Sequence, residues 1–209
     1  MITEQQIRQM MPNAGSRLDA HIPFIGPALE EGDIDTPKRI TAFMAQLAHE
    51  SGEYRYMEEL ADGSAYEGRA DLGNTQPGDG RRFKGHGPIQ ITGRANHKDC
   101  GDALGLDLIA DPLQITKPEH GTRAAVWFWN SRNLSRLADV DWFKTITRII
   151  NGGYNGLSDR RQYWDRNRAL VGLPYVDLDQ EKDKIIAFQR AHGLVADGDA
   201  GPKTRAMLA

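Results

Sequence analysis

Apolar residues recur at intervals of three and four positions along most of this chain, which is the spacing of one face of an α-helix. The clearest stripe follows Thr36 and Pro37, an N-cap residue and a first-turn proline, and includes Ile40, Phe43 and Leu47. The same spacing predicts further helices near residues 4–11, 95–104, 119–131, 141–150, 159–171 and 180–191. Because no run of alternating apolar and polar positions could build a large sheet, the pattern predicts a mainly α fold.

Two stretches interrupt this helical pattern. Residues 61–88 are rich in Gly, Asp and Pro and are predicted to be mostly loop, and the "IQIT" that follows is either a short strand or the start of a helix. A second break, at "GLPYVDLDQEKDK", marks a boundary near residue 174. We therefore predict a main helical domain over residues 1–174 and a small helical segment over residues 175–209.

Composition narrows the class of protein. The chain of 209 residues has a net charge of −3, which gives no general reason to expect nucleic acid as a partner. It contains no apolar run near the ~18 residues of a membrane span. Its N-terminus, "MITEQQIRQMMPNAGSRLDA", lacks the apolar core of a secretory signal. The single Cys100 excludes an internal disulfide framework, and we expect a monomer made in a reducing cytoplasm.

The segment "LAHESGEYRYMEEL" concentrates acidic residues, among them Glu50 and Glu59. On a helix that turns about 100° per residue, Glu50 lies roughly 80° from Ile40, at the rim of the apolar stripe, while His49 points the opposite way. Partial burial at this rim favours the protonated carboxyl, the form that a general acid requires. The alternative is an ordinary helix-edge glutamate that is half in water.

The letters "HES" also begin like the zinc motif His-Glu-x-x-His, in which two imidazoles lie four positions apart. The fifth position here is Glu53, so the second imidazole is absent, and only the distant His86 and His97 could replace it. We therefore expect neither a metal site nor another cofactor.

A pair of carboxylates fits the hydrolysis of glycosidic bonds. One carboxylic acid protonates the leaving oxygen, and a second carboxylate activates water or attacks directly. Nine residues of continuous helix would separate Glu50 from Glu59 by about 13–14 Å, too far for either arrangement. The chain must therefore bend, and Gly52 is the weak point, although the apolar face continues past it. Spacing alone leaves Glu58, Glu59 and Glu67 open as the second carboxylate.

Polar side chains cluster in "GDGRRFKGHGPIQITGRANH", which matches neither common phosphate-loop pattern. Gln90, Thr92, Arg94 and Asn96 provide donors and acceptors that suit sugar hydroxyls and acetamides. A further polar stretch, "RIINGGYNGLSDRRQYW", ends a helix near Asn151. At helical spacing most of the tryptophans are predicted to be core residues rather than sugar-stacking platforms: Trp127, Trp129, Trp142 and Trp164.

Together, "AQLAHESGE", "YEGRADLGNTQPGDGRRFKGHGPIQITGRANH", "AAVWFW" and "RIINGGYNGLSDR" resemble glycoside hydrolase family 19, the chitinase-like enzymes, and in particular its phage endolysin branch. The resemblance covers about residues 1–172 and implies a lysozyme-like, mostly helical domain with a substrate cleft. The tail "IIAFQRAHGLVADGDAGPKTRAML" resembles the second half of a peptidoglycan-binding module. The alternative for this tail is a helical lid on the main domain.

The family resemblance also implies roles for single residues. It makes Glu50 the general acid and Glu59 the second carboxylate, with Thr92 helping to hold the attacking water and inversion at the anomeric carbon. It places sugar contacts at Gln90 and Asn151 and a cleft arginine at Arg160. We add His49 and Asn96, which lie inside the matching motifs, as candidate substrate contacts. Two departures affect finer contacts, since His86 stands where the family has arginine and residues 154–155 stand where plant members have an acid.

These residues predict an enzyme that cuts β-1,4 bonds between the amino sugars of bacterial peptidoglycan glycan strands and so lyses the host cell. The resemblance further implies synthesis in the host cytoplasm without a signal peptide, export by a separate pore-forming protein, and action on the cell wall in the periplasm. A chitinase acting on poly-N-acetylglucosamine and a non-catalytic wall-binding protein remain alternatives. The sequence does not identify which bond of the disaccharide is cut.

Overall fold

The computed structural model describes residues 2–208, which form helices joined by loops. The α-helices are α1 (Glu4–Met10), α2 (Ile22–Glu31), α3 (Pro37–Ser51), α4 (Asp79–Arg82), α5 (Arg94–Leu104), α6 (Pro118–Ser131), α7 (Leu134–Asp139), α8 (Phe143–Asn151), α9 (Leu157–Leu170), α10 (Glu181–Ala191) and α11 (Pro202–Ala206). Short 3-10 helices lie at Gly15–Ala20, Ser64–Tyr66, Ala70–Leu72, Pro112–Thr116 and Leu178–Gln180. Over residues 2–208 there is no strand, so the predicted mainly α fold is confirmed. Every helix in that range is too short or too polar to cross a lipid bilayer.

The central helix is α3, and its sequence explains both its start and its burial. Thr36 caps it by accepting a hydrogen bond from the Arg39 backbone N–H at 3.3 Å, and Pro37 occupies the first turn. Every residue from Ile40 to Ala48 is buried, because α9 packs along this helix and α1 and α7 cover other faces. The helix therefore forms the middle of the core.

Most predicted helices have boundaries within two residues of the observed ones, but the apolar spacing misses α2, α7 and the short α4. The proline positions of α2 obscure its pattern, since Pro23 lies in its first turn and Pro27 lies inside it. It still buries Ile25 and Leu29 against the core. Tertiary packing therefore stabilises the helix across these prolines.

The predicted loop over residues 61–88 is largely irregular and is fixed by buried polar groups. Asn74 Oδ1 accepts from the Arg94 backbone N–H at 2.8 Å, and the buried Asp79 carboxylate pairs with the Arg94 guanidinium at 2.6 Å. Polar side chains that the sequence alone would suggest are exposed to solvent therefore stabilise the loop from within.

The "IQIT" segment is neither a strand nor the start of a helix. Ile91 forms a single antiparallel bridge with His86, and His86 forms another with Glu58. These isolated bridges join three positions without forming a sheet, a turn occupies residues 87–90, and α5 begins only at Arg94.

The C-terminal segment, residues 175–208, packs directly on the main domain. Leu178, Ile185 and Leu208 belong to the same buried apolar cluster as the main helices. The Phe188 ring contacts the Trp142 ring edge-on, with centroids 5.4 Å apart. This packing is what a helical lid would show, and the division at residue 174 remains a prediction.

Glu181 ties this segment to the start of α8. Its Oε2 accepts from the Lys144 backbone N–H at 2.7 Å, and its Oε1 accepts from the Thr145 backbone N–H and hydroxyl, both at 2.8 Å. Burial raises the pKa of Glu181 in spite of these hydrogen bonds, which lower it. A side chain from the tail thus caps the helix that leads to the predicted substrate contact Asn151.

Candidate active site

Glu50 lies in the last turn of α3, and its side chain is 19% exposed. Its Oε1 is 2.5 Å from Nη2 of Arg160, a side chain of α9 that is fully buried. Arg160 Nη1 in turn donates to Gln46 Oε1 at 2.5 Å, and Gln46 Nε2 donates to the Thr147 hydroxyl at 2.9 Å. Three helices therefore fix the position of the guanidinium. The half-buried rim position agrees with the helical analysis, but the carboxylate faces a positive charge rather than the expected apolar surface.

The chain bends sharply directly after Glu50. Gly52, Glu53 and Tyr54 have φ angles of 55°, 55° and 62°, three left-handed residues in succession. The Glu53 N–H bonds to the Ala48 carbonyl at 2.8 Å and ends the helix. The expected continuation of the apolar helix face past Gly52 is therefore wrong, and the expected bend at that glycine is present. Glu59 consequently lies in a loop, outside the helix that carries Glu50.

Glu53 maintains this bend from outside the helix. Its Oε2 accepts from the Asn13 backbone N–H at 2.5 Å, and its Oε1 accepts from Asn13 Nδ2 at 2.9 Å and from the Tyr163 hydroxyl at 2.6 Å. The residue is buried. Burial raises the pKa of Tyr163, and the bond to Glu53 adds to the rise. Because all these contacts occupy its carboxylate, Glu53 is a structural residue.

Glu59 is held against the glycine-rich segment. Its backbone N–H donates to the Gly85 carbonyl at 2.8 Å, and its Oε2 accepts from the Gly85 N–H at 2.9 Å. Its Oε1 accepts from the Tyr66 hydroxyl at 2.9 Å, and burial together with this bond raises the pKa of Tyr66. Both oxygens therefore have donors that hold the carboxylate in one orientation while leaving further lone pairs free to accept a proton.

Glu58 and Glu67 have other partners. Glu58 pairs with Lys84 at 2.8 Å, and the hydrogen bond from this ammonium lowers the pKa of the Glu58 carboxyl. Glu67 accepts from the backbone N–H groups of Gly78 at 2.7 Å and Gly80 at 2.8 Å. Glu67 therefore closes the loop over residues 67–80, and each of its oxygens has one donor, as each oxygen of Glu59 does.

Gln90, Thr92 and Asn96 follow one another along the segment beside Glu59. The Gln90 amide donates to the Tyr56 carbonyl at 3.2 Å, the Thr92 hydroxyl donates to the Gln90 carbonyl at 2.9 Å, and the Asn96 amide donates to the Thr92 carbonyl at 2.7 Å. A Cβ placed on Gly85 would lie 2.6 Å from Gln90 Oε1. The structure thus brings Gln90 next to the glycine that binds Glu59.

His86, the departure from the family's arginine, is buried beside His97. His97 Nδ1 lies 2.9 Å from the Gly93 carbonyl, and its Nε2 lies 3.0 Å from His86 Nδ1. A carbonyl only accepts, so in the neutral pair His97 Nδ1 and His86 Nδ1 carry the protons. Burial lowers the pKa of His97 to about 4 and also lowers that of His86. Two neutral rings thus support the glycine-rich segment.

His49 and Asn151 flank the loop between α8 and α9. His49 Nδ1 lies 2.6 Å from an Asp159 carboxylate oxygen, and a Cβ on Gly156 would lie 2.3 Å from His49 Cε1. Asn151 is exposed at the end of α8. The end of α3 therefore contacts this loop.

Among residues 2–208 no three His, Cys, Asp or Glu side chains converge as metal ligands.

The exposed aromatic side chains near the candidate site are tyrosines rather than tryptophans. Trp129, Trp142 and Trp164 are at most 2% exposed, which agrees with their predicted core role. Tyr56 and Tyr154 are 40% and 52% exposed instead, the first between Glu50 and Glu59 and the second after the "NGG" turn. The sequence analysis does not select these tyrosines. Their positions in the two motifs richest in candidate residues are the signal that could have identified them.

Solved structures with a similar fold identify the architecture of this chain. Chitinase C from Streptomyces griseus has a solved structure that matches with a TM-score of 0.62 and 23% identity, over 85% of this chain and 79% of that one. A bacterial family 19 chitinase matches with a TM-score of 0.61 and 22% identity, over 85% and 98%. The helical architecture is therefore that of the family 19 chitinases.

Two protein-family models match the sequence of this chain. The glycoside hydrolase family 19 model, described as chitinase class I, matches residues 18–140, and the chain belongs to this family. A model described as a putative peptidoglycan binding domain matches residues 180–208.

Three relatives show the range of the family. An endochitinase of Arabidopsis thaliana is 39% identical over 117 residues, and the match covers 56% of this chain and only 40% of the relative. The inactive chitinase-like protein 1 of Hevea brasiliensis is 34% identical over 156 residues, covering 58% and 49%. A glycosyl hydrolase family 19 domain-containing protein of Haemophilus influenzae is 27% identical over 206 residues, covering 82% and 96%.

Proposed function

We propose that this protein is a glycosidase that hydrolyses β-1,4 bonds between amino sugars in the glycan strands of bacterial peptidoglycan. The observation that carries the proposal is the pair Glu50 and Glu59, two half-buried carboxylates on separate elements, each fixed by its own donors or cation. Family membership supports the reaction class, and the match of residues 180–208 supports the wall polymer as substrate.

In the proposed mechanism, Glu50 donates its proton to the glycosidic oxygen as the bond to the anomeric carbon breaks. Water attacks the opposite face of the sugar, and Glu59 accepts the proton that this water loses. Arg160 Nη2, 2.5 Å from Glu50 Oε1, then balances the negative charge that Glu50 gains when its proton leaves. The hydroxyls of Tyr66 and Thr92 orient Glu59 and the water, and the product has inverted configuration.

Substrate contacts in this proposal come from both sides of the carboxylate pair. Gln90 and Asn96 contribute amides from the glycine-rich segment, and His49 and Asn151 contribute polar groups beside the α8–α9 loop. Neutral amides and hydroxyls suit acetamido sugars, which carry no charge.

The direct test replaces the proton donor with an amide of the same shape. We expect Glu50→Gln to lower the release of reducing ends from purified walls by roughly 10²–10⁴, because general acid catalysis is lost. Circular dichroism and thermal unfolding should match the unaltered protein. Glu30→Gln, an exposed glutamate of α2, is the control and should keep full activity. Near-normal release by Glu50→Gln would refute the assignment of the acid.

Chitin is the alternative substrate, because the Arabidopsis relative is named an endochitinase. Incubating the protein separately with chitin oligomers and with walls, followed by mass analysis of the products, separates the two. The same muropeptide spectrum identifies the terminal sugar and therefore the bond that is cut. A non-catalytic wall-binding role, which the inactive Hevea relative brings to mind, predicts retention on walls without new reducing ends.

We also propose that the enzyme lyses a bacterial host from within, as an endolysin does. It would be made in the host cytoplasm, pass the inner membrane through a separate pore-forming protein and reach the wall in the periplasm. Expression in bacteria with and without such a pore-forming protein tests this role. Lysis only in its presence is expected, and equal lysis without it would contradict the proposed route.

A further inference from the structure

A groove of about 390 Å³ lies where the end of α6, helix α7 and helix α11 meet. Three arginines line it, Arg132 and Arg136 from the main domain and Arg205 from the C-terminal segment. Its apolar wall includes Leu137, Pro202 and Leu208. None of these residues belongs to the carboxylate site around Glu50 and Glu59, and the groove exists only because the tail packs on the main domain.

Among the described residues, the charge of this groove is unbalanced. No acidic side chain lines it, and within residues 2–208 none of the three guanidinium groups lies within ion-pair distance of a carboxylate. The buried Arg160 and Arg168, in contrast, each face one. The chain as a whole has a net charge of −3, so this concentration of positive charge runs against the overall balance.

Two of the guanidinium groups are fixed by one nitrogen each. Arg132 lies over the Phe128 ring, 3.5 Å from its centroid, and its Nη1 donates to the Ser131 hydroxyl at 3.0 Å. Arg136 Nη1 donates to the Leu208 carbonyl at 2.7 Å. In the described part of the chain no acceptor binds Nε or Nη2 of either residue. These arginines are therefore oriented but keep the paired donors that bind an oxyanion in bidentate fashion.

Arg205 supplies the third and independent observation. Its Nε is buried and has no hydrogen-bond partner in the described range. Buried donors in native proteins nearly always have an acceptor. An acceptor supplied by a bound molecule would satisfy this group, and the three unbalanced charges indicate that this acceptor is anionic.

We propose that this groove binds a free carboxylate of a short peptide that carries small apolar side chains. Guanidinium forks match carboxylates, and the wall formed by Leu137, Pro202 and Leu208 suits alanine-sized groups rather than a bare ion. This proposal rests on the proposed function, because peptidoglycan carries such peptides on its sugars and chitin does not. The groove would thus select the wall polymer at a distance from the glycosidic site, using both parts of the chain at once.

The test measures binding of a fluorescent tetrapeptide that ends in D-alanine, as the free acid and as the amide, to the full chain. We expect the acid to bind at least about tenfold more tightly than the amide, since hydrogen bonds to a charged group are lost on amidation. Arg205→Gln and Arg132→Lys should each weaken acid binding by about tenfold, the second because lysine keeps the charge but lacks the fork. Arg190→Gln, which removes an exposed arginine of the same segment, is the matched control and should bind normally.

Three results would overturn the inference: equal binding of acid and amide, unchanged binding by Arg205→Gln, or displacement of the peptide by inorganic phosphate at equal concentration. Failure of the proposed function is distinguishable. Glu50→Gln should bind the peptide as the unaltered protein does. If the unaltered protein binds the peptide but releases no reducing ends from walls, the proposed glycosidase activity is refuted while the proposed peptide site is retained.

Discussion

Glu58 and Glu59 are neighbours in the chain, yet their carboxylates have different partners. Spacing cannot choose between them, because their directions depend on how the chain bends after α3. In the structure the backbone of Glu59 pairs with that of Gly85, and Glu58 lies beside Lys84. Local sequence therefore restricts the second carboxylate to a few candidates, and the surroundings of each candidate are set by contacts such as that with Gly85, 26 residues away.

This pair provides a matched test of the base. We expect Glu59→Gln to lower the release of reducing ends by roughly 10²–10⁴, because the water loses its proton acceptor. Glu58→Gln makes the same chemical change one residue earlier and should retain activity within a factor of a few. Both variants are assayed on purified walls at one pH. If Glu67→Gln is inactive and Glu59→Gln is not, the assignment of the base is wrong.

The neutral His86–His97 pair predicts how stability depends on pH. The pKa of His97 is about 4 in the folded chain, below its ordinary 6.5, so the unfolded chain binds more protons between these values. Stability from this group is therefore fully present above pH 6.5 and is lost as the pH falls towards 4, by about 3 kcal/mol over the whole interval.

Urea unfolding between pH 4 and pH 7 measures this loss. His97→Gln should be less stable at neutral pH but show a flatter dependence of the unfolding free energy on pH. The buried His21 has a similarly low pKa and is present in both proteins, so its contribution cancels in the comparison. His192→Gln, at an exposed ring, should keep the original slope. An unchanged slope in His97→Gln would contradict the account.

At the scale of the element, α3 shows both what the sequence predicts and what it cannot. Its start follows from Thr36 and Pro37, and its buried face follows from the apolar spacing. Its end does not, because left-handed Glu53 is stabilised by Asn13 and Tyr163, which lie 40 and 110 residues away. A prediction from neighbouring residues alone does not include those distant contacts. The predicted helix is therefore longer than the observed one.

The bend at Gly52 is testable at the same scale. Gly52→Ala places a Cβ 2.9 Å from the Tyr56 ring at φ +55°, and the left-handed conformation alone should cost about 1–2 kcal/mol. Gly26→Ala is the control, because its Cβ meets nothing within 4 Å inside α2 and should stabilise the protein by up to about 1 kcal/mol. Urea titrations of both variants give the two free energies. If Gly52→Ala is as stable as the unaltered protein, the bend does not require glycine at this position.

At the scale of the whole molecule, the C-terminal segment matters most. Its sequence predicts a separate small unit, and its family match supports that view, yet Leu178, Ile185 and Leu208 lie in the main core. The segment also supplies Glu181 to α8 and Arg205 to the arginine groove. Such sharing between distant parts of the chain arises from tertiary packing, which apolar periodicity does not encode.

This shared core predicts that the chain unfolds as one cooperative unit. Ile185→Ala removes buried side-chain volume in α10 and should lower the free energy of unfolding by about 2–5 kcal/mol. All four tryptophans lie between residues 127 and 164 in the main domain, and of these Trp142 also contacts Phe188 of the tail. If the core is shared, the tryptophan fluorescence should register the full loss, with fluorescence and circular dichroism giving the same midpoint. Val195→Ala, at a side chain that is 81% exposed, should stay within about 0.5 kcal/mol. A tryptophan transition that ignores Ile185→Ala while circular dichroism shows a separate earlier step would mean that the tail folds independently, and the groove at its junction could then open without unfolding the carboxylate site.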